Sequence, residues 1–447
     1  MHKILNLLPI TFDHAEAANL DASEHEVHFL YASEGTIDTE MTAFAYGSYL
    51  AQPDFLLSYV ERAVSYVKKN GITAIIFSHD MASVVASVVC EQTGLPGPSL
   101  ESTFRCLHKY YSRKTENGNL WFDYIHMDKP SEEWKGKVRY PCFLKAPFLC
   151  ASMGHCCVTN EAEMEVALVN LERLVAPFFT GYCEFFRRYL DLEKFPLAVE
   201  NIAAVEELVE SCDQYCFEGW MDNNGNFKLC TAGFCEISRE KAGRVLHWII
   251  PQFISGAVDG DTYKKLVQYT EEMAHRFGVA STFFDLEFWQ QGDELTLIEM
   301  NCRMSYSLSV AYRKMWAVSA YQSAVQLACG QTAKLMQWKP SAHHKDGEPI
   351  SGQFFVFTSG EGKGKDFIDF EYARVGCISD GVYNTMGAAM TISVEEESPV
   401  KQTSTVGVRL CDFLLTDSSA SSLFQRANEV KTKLLLREED RDPLKLL

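Results

Sequence analysis

The chain has 447 residues, which is enough for two or three domains with buried cores. Its hydrophobic content of 47% and charged content of 23% are those of an ordinary globular protein, and they exclude a disordered or fibrous chain. The formal net charge of -19 argues against nucleic acid or an anionic membrane as the main partner.

Targeting signals and cysteine usage point to one compartment. The opening run MHKILNLLPI is too short for a signal peptide, and no stretch reaches the length of a membrane span. The 15 cysteines are odd in number and scattered, without the CxxC spacing of zinc sites. We therefore expect a reduced, cytoplasmic protein.

The first hundred residues alternate between short apolar runs and helical patterns. We predict strands at 3–9, 27–31 and 73–78, and helices at 55–68 and 81–92. Gly71 separates the first of these helices from the third strand, and the sequence TGLPGP at 93–98 stops the second helix. This order predicts a small open α/β domain.

The middle of the chain contains a candidate phosphate loop. A strand ending at Lys145 is followed by small residues and Gly154, and then by a second strand at 155–159. Further elements are predicted as a helix at 161–171, two strands between 213 and 237 around a turn at 222–226, and an amphipathic helix at 261–277. Small residues and a glycine let backbone N–H groups approach phosphate oxygens, so we interpret 146–154 as a phosphate-covering loop.

A hairpin from 284 to 303 carries two glutamates in an apolar setting, Glu287 and Glu299. Burying both would cost several kcal/mol per charge unless a cation neutralised them. A three-residue turn containing Gly292 would place position 287 across from 297 and diagonal to 299. Glu287, Glu299 and Asn301 would then share one face of the hairpin, whereas a two-residue turn would break this arrangement. Such oxygen ligands suit Mg²⁺ or Mn²⁺. The alternative is an ordinary hairpin whose glutamates are solvated.

The last part of the chain adds a second lobe. We predict helix at 308–328, a polar connector at 337–352, and strands that include 407–414. The adjacent His343 and His344 in the connector are interpreted as solvated. A closing helix is expected after an N-cap at Asp417 or Ser418.

Five separated features converge in chain order: Lys109, Lys145, the segment VEELVESCD at 205–213, Glu287, and the E-x-N-x-R run at 299–303. Together they resemble the ATP-grasp superfamily over nearly the entire chain. The resemblance implies an α/β (α+β) chain with an ATP-grasp fold, divided into an N-terminal pre-ATP-grasp domain (1–104), a lid subdomain (105–205), a core with the metal site (206–335) and a C-terminal αβ lobe (336–447).

The resemblance also implies roles for individual residues. Those expected to bind ATP are Lys109 and Lys145 on the phosphates, Ser152 and Gly154 in the lid, Glu206, Glu207 and Val209 at the adenine, and Asp213 at the ribose. One or two Mg²⁺ or Mn²⁺ ions would be held by Glu287, Glu299 and Asn301. Arg303 is the expected catalytic residue, because it would hold a carboxylate and stabilise the oxyanion. Candidates for substrate contacts are Arg244, His247 and Ser305.

The activity implied is that of a carboxylate–amine ligase, the branch that includes carnosine synthase and the L-amino-acid ligases. ATP would convert a carboxylate to an acyl phosphate, and an amine would then form an amide with release of ADP and phosphate. We expect small-molecule partners, neither nucleic acid nor membrane, and allow for a homodimer. The sequence departs from the family's pattern at Phe148, Leu149 and Cys150 in the lid and at 304–307 after Arg303. Two alternatives therefore stay open: a non-catalytic nucleotide-binding regulator, as in synapsins, and a carboxylating enzyme like biotin carboxylase.

Overall fold

The computed structural model describes residues 1–33, 47–149, 154–209, 213–237, 246–250, 260–332, 349–358, 360–376, 391–392, 396–397, 399–400 and 408–438. All structural statements below concern these residues. Among their helices, none is both long and apolar enough to cross a membrane.

The N-terminal domain is a parallel three-stranded sheet in the order β2-β1-β3. Its strands are β1 (His2–Leu7), β2 (His25–Leu30) and β3 (Ala74–Ile76), and its helices are α1 (Thr11–Ala17), α2 (Gly47–Leu50), α3 (Phe55–Asn70) and α4 (Asp80–Thr93). Gly71 ends α3 and separates it from β3 as predicted, and it takes the left-handed conformation, with φ of 64°. The predicted open α/β arrangement of this region is confirmed, and Asp80 begins α4 shortly after the end of β3.

Two short helices, α5 (Leu100–Leu107) and α6 (Lys109–Glu116), lead into an antiparallel sheet in the order β4-β7-β5-β6. Its strands are β4 (Phe122–His126), β5 (Cys142–Lys145), β6 (Cys156–Val158) and β7 (Ile202–Glu207). One face of this sheet is apolar and packs through Leu144, Ala203 and Val205 into a buried core. The opposite face, which carries Lys145, therefore turns toward the rest of the molecule.

The helix α7 (Glu161–Tyr189) is much longer than the predicted 161–171. Its first half buries Met164 and Leu171 in the core of the four-stranded sheet, whereas its second half buries Phe185 and Phe186 in the N-terminal core. Because the two halves of α7 pack into different cores, its buried residues do not form a single amphipathic stripe. The prediction ended where the first stripe ended.

An eight-stranded sheet forms the remainder, in the order β12-β11-β8-β9-β10-β13-β17-β15. Its strands are β8 (Asp213–Met221), β9 (Phe227–Ile237), β10 (Leu246–Ile250), β11 (Thr282–Gln291), β12 (Glu294–Asn301), β13 (Ile350–Thr358), β15 (Thr391–Ile392) and β17 (Val408–Asp417). A separate two-stranded sheet pairs β14 (Gly362–Lys363) with β16 (Pro399–Val400). The expected border at 335/336 falls inside the large sheet, since β13 pairs with both β10 and β17.

Four helices pack against this sheet or beside it: α8 (Gly260–Phe277), α9 (Tyr306–Trp316), α10 (Ala320–Ala328) and α11 (Ala420–Leu434). The helix predicted at 308–328 is two helices, because Ala317 takes a left-handed φ of 54° after α9. The N-cap of α11 is Ser419, whose side chain accepts a hydrogen bond from the Ser422 amide. The predicted caps at Asp417 and Ser418 were wrong, since β17 extends to Asp417.

Candidate active site

The hairpin between β11 and β12 has a different register from the predicted one. Gln291 pairs with Glu294, so the turn has two residues and the predicted three-residue turn was wrong. A β-bulge then leaves Ile298 unpaired on β12, so that Glu287 pairs directly with Glu299. One extra residue reverses the facing of a strand, and the bulge thereby restores the shared face that a two-residue turn alone would have destroyed.

The bulge is secured by side chains from outside the hairpin. The Leu297 amide donates to Glu116 Oε1 at 2.5 Å, and the Ile298 carbonyl accepts from Lys145 Nζ at 3.4 Å. A bulge frees backbone groups from the ladder, and buried backbone groups need partners. Glu116 and Lys145 therefore help to fix the part of β12 that presents Glu299.

Polar side chains from three neighbouring strands share one face of the large sheet. Cα pairing aligns Cys216, Glu287 and Glu299 in one row, and Glu218, Asp285 and Asn301 in the next. The alternate residues of the same strands, including Phe217, Leu286 and Met300, form the core against α8. The polar face thus carries four carboxylates in two rows.

Glu287 is the carboxylate with the most negative surroundings. Burial and the neighbouring charges of Glu299 and Asp285 raise its pKa well above the ordinary value. It accepts a hydrogen bond from the Gln214 side-chain amide at 3.2 Å, and no ion pair with it occurs within the described residues. A cation placed beside Glu287 would relieve this excess of negative charge.

Glu299 faces a lysine from another domain. The Lys109 Nζ atom, at the start of α6, lies 2.6 Å from Glu299 Oε2, and the Asn301 amide donates to the other carboxylate oxygen at 3.3 Å. Although burial opposes ionisation, this lysine holds the pKa of Glu299 below its ordinary value. Lys109 and Glu299 are separated by 190 residues in the sequence, so only the fold brings them together.

Lys145 belongs to a buried network of charges. Its Nζ atom lies 2.8 Å from Glu206 Oε2, which also accepts a 2.9 Å hydrogen bond from Arg113. Arg113 in turn donates to Glu116 at 2.5 Å. Burial favours the neutral carboxyl, but the attraction of the two cations is larger and lowers the pKa of Glu206 to about 2. The network links the four-stranded sheet, α6 and the bulge of β12.

Arg303 lies between two carboxylates. It donates to Asp80 Oδ1 at 3.2 Å from Nε and to Asp285 Oδ2 at 3.1 Å from Nη1. Burial opposes its charge, yet the two aspartates raise the pKa of Arg303 above its ordinary value. Because Asp80 begins the helix that follows β3, the site combines residues from the regions of the three-stranded, four-stranded and eight-stranded sheets.

Comparison with solved structures identifies this architecture. The L-amino acid ligase from Bacillus licheniformis aligns with a TM-score of 0.67 at 12% identity, over 98% of this chain and 99% of that one. The biotin carboxylase from Campylobacter jejuni gives 0.58 at 15% identity, over 97% and 92%, and the phosphoribosylglycinamide synthetase from Anaerococcus prevotii gives 0.57 at 12%, over 98% and 100%. The chain has the ATP-grasp fold.

The resemblance is one of structure alone. No protein-family model matches the sequence, and a search of curated proteins finds no match to it. The ATP-grasp fold predicted from the ordered lysines and carboxylates is confirmed, whereas the roles of individual residues stay predictions.

The remaining predicted residues of this ATP-grasp chain lie in several settings. Ser152, Arg244, His343 and His344 fall outside the described residues, and of His247 only its place on β10 is described. Gly154 has a left-handed φ of 73°. Glu207 and Asp213 are exposed, Val209 is partly buried between them, and the Glu207 amide already donates to the Trp121 carbonyl at 2.9 Å.

Ser305 lies just before α9, and its amide donates to Glu218. Glu218 is fully buried, also accepts a hydrogen bond from the Tyr312 hydroxyl, and has its pKa raised to about 8, chiefly by burial. Sequence reasoning missed Glu218, together with Asp80, Asp285, Arg113 and Glu116. For Glu218 and Asp285 a signal existed, because polar residues alternate with large apolar ones along both strands.

The predicted metal ligands fit a magnesium site in which the protein supplies few ligands. No group of three or more His, Cys, Asp or Glu side chains encloses a metal position within the described ranges. Mg²⁺ commonly takes only one or two carboxylates and completes its shell with water and phosphate oxygens. The paired Glu287 and Glu299 match that donor set, and a bound cation would favour the ionised form of Glu287.

Proposed function

We propose that this protein is an ATP-dependent ligase that activates a carboxylate as an acyl phosphate and joins it to an amine. The observation that carries the proposal is the meeting of two buried lysines with β12 beside the Glu287–Glu299 pair: Lys109 Nζ lies 2.6 Å from Glu299, and Lys145 Nζ lies 3.4 Å from the Ile298 carbonyl. Lysines suit phosphate oxygens, and paired carboxylates suit a divalent cation that bridges phosphates. Together they form the two halves of a nucleotide triphosphate site.

Each half has a defined task in phosphoryl transfer. Lys109 and Lys145 would bind phosphate oxygens as point charges, with Lys145 oriented by Glu206. Glu287, Glu299 and Asn301 would hold one or two Mg²⁺ ions, which supply charge neutralisation at the transferring phosphate. Such transfer depends on positioning and on charge stabilisation, and it needs no protein nucleophile.

Arg303 would bind the carboxylate that is activated and then stabilise the oxyanion formed by amine attack. Its guanidinium is held from both sides by Asp80 and Asp285, so its orientation is fixed before substrate arrives. A fixed donor costs no reorganisation during the reaction. This arrangement supports Arg303 as the residue that serves the acyl group and not the nucleotide.

Amino acids are the substrates that we favour for both the acid and the amine. The TM-score of 0.67 with an L-amino acid ligase exceeds the 0.58 with a biotin carboxylase, at similar coverage. The lid also argues against the carboxylating alternative, since Phe148 and Leu149 are buried where a carboxylase would be expected to carry glycines.

The test is a substrate screen on the purified protein with ATP and Mg²⁺. Pools of amino acids and small carboxylic acids are added, and phosphate release is measured alongside mass spectrometry for amide products. We expect release that requires both an acid and an amine, with a product mass equal to their sum less one water. ATP binding without phosphate release in any pool would support the regulatory alternative and refute the ligase.

A further inference from the structure

His155 lies beside Lys145 at the loop end of the β5–β6 hairpin. The register pairs Cys142 with Val158 and Leu144 with Cys156, so Lys145 and His155 are the next residues to face each other. Paired residues of an antiparallel ladder project to the same face. Phe143 shares that face as well: its ring centroid is 6.1 Å from that of His155, and Lys145 Nζ is 5.9 Å from it. The His155 ring therefore belongs to the wall that carries Lys145.

The Nε2 atom of His155 is buried and has no hydrogen-bond partner among the described residues. The whole residue is only 7% exposed. Buried polar atoms in native proteins are paired with protein, water or ligand, and an orphan in a binding cleft indicates that something else completes it. The neighbouring Lys109 and Lys145 already have carboxylate partners, whereas His155 Nε2 has none among the described residues.

The surroundings of His155 indicate what that missing partner is. The charged groups acting on the ring are Lys145, Lys109, Glu299 and Glu206. Burial and the two lysines lower the pKa of His155 to about 3, so the ring is neutral near pH 7, with one nitrogen able to donate a hydrogen. An anion drawn between the two lysines would meet this donor.

We propose that His155 donates a hydrogen bond from Nε2 to a phosphate oxygen of the bound nucleotide. This inference rests on the proposed function, since it takes ATP as the ligand of the two lysines. The neutral ring adds a donor without adding a third positive charge beside Lys109 and Lys145. It also lies at the far end of a loop whose beginning is anchored, because the Phe148 ring is buried against His108 and Tyr182.

The experiment compares nucleotide binding in variants whose side chains are uncharged and similar in length to histidine. His155→Gln keeps an N–H donor at the end of the side chain, and His155→Met removes it. His25→Met is the matched control, since His25 is also buried, at 5% exposure, with both ring nitrogens unpartnered within the described chain, but lies in the N-terminal sheet. Binding of ATP and of adenosine is measured by calorimetry, with melting curves to check the fold.

We expect His155→Met to weaken ATP binding about ten- to hundredfold, as for loss of a hydrogen bond to a charged group, and to leave adenosine binding unchanged. His155→Gln should recover most of the loss, and His25→Met should bind ATP as the wild type does. Equal ATP affinity in His155→Met and wild type would overturn the proposal, as would an equal loss for ATP and adenosine. If the wild type binds no ATP at all, the proposed function fails and this inference falls with it.

A second readout needs no folded variant at position 155. In wild-type protein labelled with ¹⁵N-histidine, ATP should move one buried neutral imidazole Nε2 resonance, and adenosine should not. If ATP moves no buried neutral histidine signal, the hydrogen bond is absent. The wild-type result stands even where His155→Met fails to fold.

Discussion

Replacing Glu206 with glutamine tests the buried charge network that holds Lys145. In the wild type one carboxylate neutralises both Lys145 and Arg113, at 2.8 and 2.9 Å. Glutamine has nearly the same shape but no charge, so the variant leaves two buried cations with one anion fewer. Removing one partner of a buried pair is strongly destabilising, because the charge that stays behind is uncompensated.

The magnitude follows from the carboxyl group's own titration. Its pKa falls from 4.5 to about 2 on folding, which corresponds to about 3 kcal/mol of stabilisation at neutral pH. We expect Glu206→Gln to lose about that much. The neighbouring Glu207→Gln is the matched control, since Glu207 is exposed and forms no ion pair within the described residues, and it should change stability by less than about 0.5 kcal/mol.

Hydrogen exchange measured on peptides from β5 and β7 reports the local free energy of opening. A loss of about 3 kcal/mol predicts exchange about a hundredfold faster in Glu206→Gln at pH 7. The pH dependence has a definite sign. A depressed carboxyl pKa stabilises the fold above about 4.5 and loses that effect as pH falls toward 2, so the difference between wild type and variant should shrink to roughly half near pH 3.

Two results would contradict this reasoning. Exchange in Glu206→Gln within threefold of wild type would mean that the cations do not depend on Glu206. A difference that stays constant from pH 7 to pH 3 would mean that the loss comes from packing and not from charge.

Three further predictions concern the polar face and the arginine. Glu287→Gln should abolish turnover and weaken Mn²⁺ binding at least tenfold, because the amide cannot supply a carboxylate ligand. The melting temperature should stay unchanged or rise, since burial and the neighbouring carboxylates already disfavour the ionised form of Glu287. Electron paramagnetic resonance measures the Mn²⁺ binding and melting curves the stability, and undiminished Mn²⁺ binding would remove Glu287 from the metal site. Arg303→Lys keeps the charge but loses the two-sided geometry with Asp80 and Asp285. ATP affinity should therefore stay within threefold of the wild type, while the rate of amide formation falls about a hundredfold. Equal losses of affinity and rate would mean that Arg303 binds the nucleotide. The pKa of Glu218 is raised to about 8, so the folded state binds this proton more tightly than the unfolded state does. The free energy of unfolding, measured in urea, should therefore fall as pH rises from 6 to 9, and Glu218→Gln should lessen that fall. Parallel pH profiles of stability for wild type and variant would refute the assignment.

The sequence predicted the fold because its strong signals were local. Apolar runs bounded by glycine and proline marked β1 and β3, and Gly71 separates α3 from β3 as predicted, in the left-handed conformation. The order of lysines and carboxylates along the chain then identified the fold. Comparison of whole structures confirms that inference, although identities of 10–15% leave little sequence signal.

The geometry of the hairpin was beyond sequence reasoning. The turn was expected to have three residues, and the true two-residue turn would have separated Glu287 from Glu299 without the bulge at Ile298. That bulge depends on Glu116 and Lys145, which lie far away along the chain. A local pattern cannot reveal a register that is fixed by distant partners.

The buried charge network was also invisible in the sequence. Arg113 and Glu116 stand three residues apart on α6, a spacing typical of exposed ion pairs on a helix surface. Both side chains are nearly inaccessible, because α6 lies between β7 and β12. Charge patterns reveal burial only once the neighbouring elements are known.

The central claim is that ATP activates a carboxylate before an amine attacks it. The most direct measurement uses a pool of amino acids labelled with ¹⁸O in their carboxylates, incubated with the protein, ATP and Mg²⁺, followed by mass spectrometry of the released phosphate. Cleavage of an acyl phosphate by an amine leaves one carboxylate oxygen on phosphate, so the account predicts one ¹⁸O atom in each phosphate formed with amide product. Amide formation with unlabelled phosphate, or ATP consumption without amide, would contradict it.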